Sequence, residues 1–185
     1  MNTPRLALCP VDPQWIPPDD KRLDQFLQSI ELSGKALPQP LQFLPGQKFL
    51  DLIAFMGCSP DIKLEPGDDE RPFCLIHVQD QAKSVECHFG EHTHSPRCPK
   101  CRSPVKDWLD SIHRWMEGDA TSLWECSTCH WQAAPWDFNW RQSAGFGRCF
   151  IEISNIFPKE ALPQAHLLDT LQAYYGIKWL YFYQH

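Results

Sequence analysis

Glycine is scarce in this chain, at 9 of 185 residues, and no apolar run approaches the length that crosses a bilayer. A transmembrane anchor is therefore not expected. The start of the chain is equally poor in apolar sequence: only Leu6 to Leu8 are consecutively apolar, so the pattern of a secretory signal is missing and the expected compartment is the cytoplasm. Basic charge is also lacking. Lys and Arg number 17 against 23 Asp and Glu, a net charge of -6, and the pI is about 5.7. Surfaces that neutralise nucleic-acid phosphates are basic, so this balance argues against nucleic acid as the main partner. The acidity lies in the first 96 residues, which carry 14 Asp and Glu against 8 Lys and Arg. There is no Gly-rich phosphate loop, no G-x-S-x-G elbow and no H-E-x-x-H. No internal repeat or low-complexity tract is present.

What the chain has instead is proline, cysteine and tryptophan: 17, 9 and 8 residues. Abundant Pro with little Gly fixes turns and favours an ordered chain. A hydrophobic fraction of 43% supplies enough apolar material for a core. Leu23, Phe26, Leu27 and Ile30 follow helical spacing after Asp19 and Asp20, either of which suits an N-cap, with Gly34 beyond the end. A second short helix is expected over 47–56, ended by Gly57. The acidic stretch 61–71 reads as a solvated loop, turned at Pro66-Gly67. The segment 73–78 (FCLIHV) reads as a buried strand, and 149–157 as another, ended by Pro158. Leu167 to Tyr175 reads as a helix stopped by Gly176. The final segment 177–183 (IKWLYFY) is apolar or aromatic on both faces, so it reads either as a central strand or as an edge strand covered by a second subunit, with Leu180 and Phe182 buried in both cases. The central place, parallel to the strand at Ile151 and Ile153, is the one expected.

Nine cysteines is an odd number, and four of them fall in two C-x-x-C pairs: Cys98 with Cys101, and Cys126 with Cys129, 24 residues apart. Two residues between cysteines let one tight turn present both sulfurs, and two such turns complete a tetrahedral thiolate shell for Zn2+. Over about residues 96–140 the chain resembles the zinc-ribbon class, in which two knuckles share one ion. That resemblance implies one structural zinc held by Cys98, Cys101, Cys126 and Cys129. The spacer exceeds the usual 15 to 20 residues. Its surplus carries Trp108, Leu109, Ile112, Trp115 and Met116 at helical spacing, so a helix is expected between the knuckles.

Upstream lie Cys87, His88, Glu91, His92 and His94, which read as a polar loop leading into the first knuckle rather than a second metal site. Cys9, Cys58, Cys74, Cys87 and Cys149 fit no nucleophile signature, and His77 and His113 read as packed histidines. Six of the eight tryptophans fall between 108 and 140. They suit the cover of a small module or, at Trp136, Phe138 and Trp140, a partner-binding surface. The expected architecture is thus an α+β fold with a mixed sheet and flanking helices. A discontinuous body, 1–84 plus 146–185, is interrupted by a zinc-binding insertion, 85–145. The expected function is binding or scaffolding of another protein rather than catalysis. The alternatives are a nucleic-acid-associated ribbon factor and an enzyme with its site between body and insertion, using Glu91, His92 and His94.

Overall fold

The computed structural model describes residues 4–56, 62–67, 71–79, 81–118, 122–156 and 160–184. In chain order they form β1 (Arg5–Pro10), α1 (Leu23–Ser29), β2 (Ser33–Ala36), β3 (Gln42–Pro45), α2 (Phe49–Leu52), β4 (Ile53–Phe55), β5 (Leu75–Gln79) and β6 (Glu86–Phe89). Then come α3 (Trp108–Met116), β7 (Trp124–Glu125), β8 (Gln132–Ala133), β9 (Ala144–Gly147), β10 (Phe150–Ser154), β11 (Ala161–Pro163), α4 (Ala165–Tyr175) and β12 (Trp179–Gln184). The fold is α+β. Its frame is a six-stranded sheet in the order β12-β1-β10-β5-β3-β2, with β4–β11, β6–β9 and β7–β8 as two-stranded additions.

Strand period two assigns the faces of the large sheet. Leu6 and Leu8 of β1, Ile76 and Val78 of β5, and Ile151 and Ile153 of β10 point one way, into a cluster closed by Leu23 and Leu27 of α1, Phe49 of α2, and Leu167 and Leu171 of α4. Ala7, Cys9, Phe150 and Phe182 point the other way and form a small cluster of their own. Over that second face lie β6 and β9. Gly145 of β9 rests so close to the Phe182 ring that a Cβ there would sit 2.0 Å from it, which is why the residue is glycine. A third cluster runs from Val85 to Phe146 and holds Ile112, Trp115, Trp124, Phe138 and Trp140.

Several local expectations meet a different outcome. Helix α1 begins after Arg22, not after Asp19 or Asp20, and its end turns through Glu31, at φ 59, ahead of Gly34. The helix expected over 47–56 is cut to Phe49–Leu52. Ile53 instead enters an antiparallel ladder with Pro163, where a buried β-branched side chain and three paired positions outweigh a further helical turn. Its expected stop, Gly57, lies outside the described residues, as do Cys58, Asp61, Asp68, Asp69 and Glu70 of the acidic loop, and Pro158. Helix α4 and its left-handed stop at Gly176 (φ 73) are as expected.

The last strand is the largest departure. β12 is an edge strand, paired antiparallel with β1 and not with β10. β10 and β12 do run the same way, but β1 is inserted between them, antiparallel to both. The six residues of β1 read in sequence only as extended chain between Pro4 and Pro10; Leu6, Ala7 and Leu8 are fully buried at the middle of the fold. Phe182 is buried, whereas Leu180 remains 38% exposed, so the burial expected for both holds for one.

Candidate metal centre

The two knuckles are built on one backbone pattern. In the first, the Cys98 amide donates to the Ser103 carbonyl and the Arg102 amide donates to the Cys98 carbonyl, each at 2.9 Å. In the second, the Cys126 amide donates to the Trp131 carbonyl and the His130 amide to the Cys126 carbonyl, each at 2.8 Å. Arg102 and His130 occupy the same place and both take the left-handed conformation, at φ 63 and 58. That single inverted residue turns the chain back sharply, so both sulfurs of each pair face the same point. β7 and β8 flank the second knuckle, and a bridge from Arg97 to Pro104 flanks the first.

All four Sγ atoms of Cys98, Cys101, Cys126 and Cys129 lie within 4.8 Å of one another. Across the knuckles, Cys98 Sγ is 3.7 Å from Cys129 Sγ, and Cys101 Sγ is 3.5 Å from Cys126 Sγ. These distances are far too long for disulfides, at about 2.05 Å. They match the sulfur–sulfur edge of about 3.8 Å in a tetrahedron whose metal–sulfur bonds are about 2.3 Å. Cys98 and Cys126 are buried, Cys101 is half-buried and Cys129 is exposed.

The electrostatics of the cluster call for a cation. The Ser103 hydroxyl and amide bring the Cys101 thiol down to about 6, and the amides of Cys129 and Thr128 lower that of Cys126. Cys129 goes the other way, up to about 12: the Trp131 amide acts to lower it, but desolvation and the sulfurs of Cys101, Cys126 and Cys98 prevail. Four thiolates in so small a volume repel, and the last holds its proton unless a divalent ion neutralises them. The donor set fits a soft, tetrahedral metal ion such as zinc. When bound, such an ion supplies cross-linking of the two knuckles, and four sulfurs leave no open position for a substrate.

Around the cluster, the expected helix α3 occupies the spacer and buries Ile112 and Trp115, leaving Leu109 and Met116 exposed. Of the three residues read as partner-binding, Phe138 and Trp140 are core: they are 3% and 5% exposed. Phe138 sits 5.7 Å from Trp124 and 5.3 Å from Trp131 by ring centroid, and Trp140 Nε1 donates to the Pro135 carbonyl at 2.9 Å. Trp136 is only partly buried and lines a groove of about 560 Å³ against β12. No helix is long and apolar enough to cross a membrane.

The loop histidines do not assemble. Cys87 is buried in β6, while Glu91, His92 and His94 are exposed, and among the described residues the four cysteines are the one cluster arranged to hold a metal. Cys9 and Cys74 are pushed up to about 12 by burial, and Cys87 is raised well above the ordinary thiol value, so all three stay protonated.

A second polar constellation escaped the sequence reading. Glu152, 4% exposed, lies between His77 and His88: His88 Nδ1 is 3.0 Å from Oε1 and His77 Nδ1 3.4 Å from Oε2, with Arg5 Nη1 3.2 Å from Oε2. Burial acts to raise its pKa, but the hydrogen bonds of His77 and His88 and the charges of His88 and Arg5 hold it well below the ordinary carboxylate range. The signal was present: Glu152 and His77 each interrupt an apolar strand, and they face each other in register. No protein-family model, curated protein or solved structure matches this chain.

Proposed function

We propose that the protein is a zinc-stabilised, cytoplasmic binding protein that captures an extended segment of another protein along β12. The zinc is structural, held by Cys98, Cys101, Cys126 and Cys129 in a ribbon-like pair of knuckles. Residues 85–145 form the insertion folded around it, and 1–84 with 146–185 form the body. Support for this division comes from the clusters: one draws on Val85 to Phe146, the other two only on residues outside that range.

The observation that carries the binding role is the outer edge of β12. The Lys178 carbonyl accepts from Val11 on the β1 side, while the Tyr183 amide faces outward and donates to the Gln142 carbonyl at 2.9 Å. Alternation then turns the amides of Trp179 and Tyr181 outward too, and among the described residues neither has a backbone partner. They open onto the groove lined by Trp136, Leu168 and Leu180. Free edge groups beside apolar walls suit strand addition by a peptide, with main-chain bonds giving affinity and pockets giving selection. Among the described residues the charged ones along the groove are Asp137 and Arg141, which favours a peptide over nucleic acid.

Metal analysis and peptide display test this together. One zinc per chain is expected; a red protein containing iron in the same four sulfurs would replace zinc in this reading. Displayed peptides that bind should shift the amide resonances of Trp179 and Tyr181. Leu180→Asp and Trp136→Ala should each weaken them at least tenfold. Selected ligands that bind equally to both variants, or a nucleic acid that outcompetes them, would overturn the peptide-binding role.

A further inference from the structure

The second face of the sheet is apolar at one end and polar at the other. Its rows read Cys9, Phe150 and Gln79, then Ala7, Glu152 and His77, then Gln184, Arg5 and Ser154. β6 and β9 cover the apolar end. The polar end stays open as a cleft of about 560 Å³, with Phe89 of β6 and Met116 of α3 on its walls. That volume is in the range of small-molecule sites.

Glu152 organises the cleft. An ionised carboxylate only accepts, so the Nδ1 atoms of His77 and His88 both donate to it, and Arg5 adds a third donor. The groups left over define what a ligand must offer. Gln184 Oε1 is buried without a partner among the described residues. Gln79 Nε2 and His88 Nε2 both approach Glu86 Oε2, which leaves Glu86 Oε1 as a further acceptor. Arg5 uses one guanidinium nitrogen on Glu152, and its remaining N–H groups stay available. Arg5 and Gln184 are direct cross-strand neighbours, so a cationic donor and an orphan acceptor stand side by side.

A plain anion would meet Glu86 and Glu152 here, and a plain cation would meet Arg5. A ligand carrying both charges on groups bonded to one carbon meets neither penalty. We propose that this cleft binds a free α-amino acid, its carboxylate on Arg5 and its ammonium on Gln184 Oε1. The side chain then runs past His77 between Phe89 and Met116, toward Glu86. The site is independent of the β12 groove and does not rest on the peptide-binding role.

The test is an amide and side-chain NMR titration of the full zinc-loaded chain with the twenty amino acids, and with propionate, methylamine and inorganic phosphate as probes carrying one charge. At least one amino acid should give saturable shifts at Arg5, His77 and Gln184. Arg5→Met and Gln184→Leu should each weaken binding at least tenfold, whereas Trp136→Ala leaves it unchanged. Should Arg5→Met fail to fold for want of its bond to Glu152, Gln184→Leu decides alone. The proposal falls if no amino acid shifts these resonances at millimolar concentration, if propionate, methylamine or phosphate binds as tightly, or if Gln184→Leu binds like the wild type.

Discussion

The cluster beneath α1, α2 and α4 is filled chiefly by leucine and isoleucine from ten of the helices and strands, whereas the one around the four cysteines is built from Trp115, Trp124, Phe138, Trp140 and Phe146, with Val85 and Ile112 as the larger aliphatic side chains among its buried members. The difference reflects size. On the proposed division the insertion has about sixty residues, a size at which packing alone gives only marginal stability. Large rings help, because each buries roughly 150–250 Å². They do not tie together two knuckles whose thiolates would repel, whereas a divalent ion held by the four sulfurs would.

The strongest way to break this contrast is to remove one ligand. Cys126→Ser should collapse hydrogen-exchange protection at Ile112 and Trp115 while the amides of Leu8 and Ile151 keep theirs. In isolated zinc fingers the metal is worth about 10–16 kcal/mol at neutral pH, so the local loss should be complete. Protection lost equally in both regions would show that the two form one cooperative unit.

The reciprocal experiment acts on the body. Ile153 is fully buried among aliphatic side chains. Truncating it to alanine should cost about 2–5 kcal/mol in denaturant unfolding. Zinc content per chain should not change, because no cysteine of the site touches this cluster. A variant that loses metal as well as stability would mean that the body holds the knuckles in place.

The smallest effect sharpens the seam between the regions, where Glu152 of β10 meets His88 of β6. The folded state holds this carboxyl below its ordinary value of 4.5. The sign follows: its contribution is complete above about 4.5 and is lost as pH falls below that toward the folded value. Carbon NMR should show Glu152 still ionised where ordinary glutamates are half-protonated. The extra slope of stability against pH, relative to Glu152→Gln, is bounded by one proton at about 1.4 kcal/mol per pH unit. A Glu152 that titrates at or above 4.5 would remove the electrostatic tie from the seam.

Much of the metal site was legible because its information is local. A C-x-x-C pair specifies its own knuckle, and α3 announced itself through Trp108, Ile112 and Trp115 at helical spacing. Helix α4 was readable for the same reason, with Gly176 supplying the left-handed stop. The aromatic segment after the second knuckle was ambiguous. A ring that covers a metal module and one that awaits a partner look alike in sequence, and only packing buried Phe138 and Trp140 and left Trp136 partly exposed, although all three reach the groove.

Strand order was not legible at all. Composition marks 177–183 as apolar on both faces, and that pattern suits a central strand. Yet Trp179 and Tyr183 are covered by the body cluster and Phe182 by β9, so an edge strand is covered on one face and, at Phe182, on the other without a second ladder neighbour, while Leu180 stays exposed. The slot beside β10 went to β1, six residues from Arg5 to Pro10, because pairing depends on contacts between segments far apart in sequence. The same holds for Glu152, His77, His88 and Arg5, which lie up to 147 positions apart in sequence. By itself the sequence determined the knuckles, the helix periods and the turn at Gly176, all set by neighbouring residues. The sheet order, the free edge of β12 and the carboxylate-centred cleft belong to the tertiary structure, since each depends on contacts between residues that nothing local brings together.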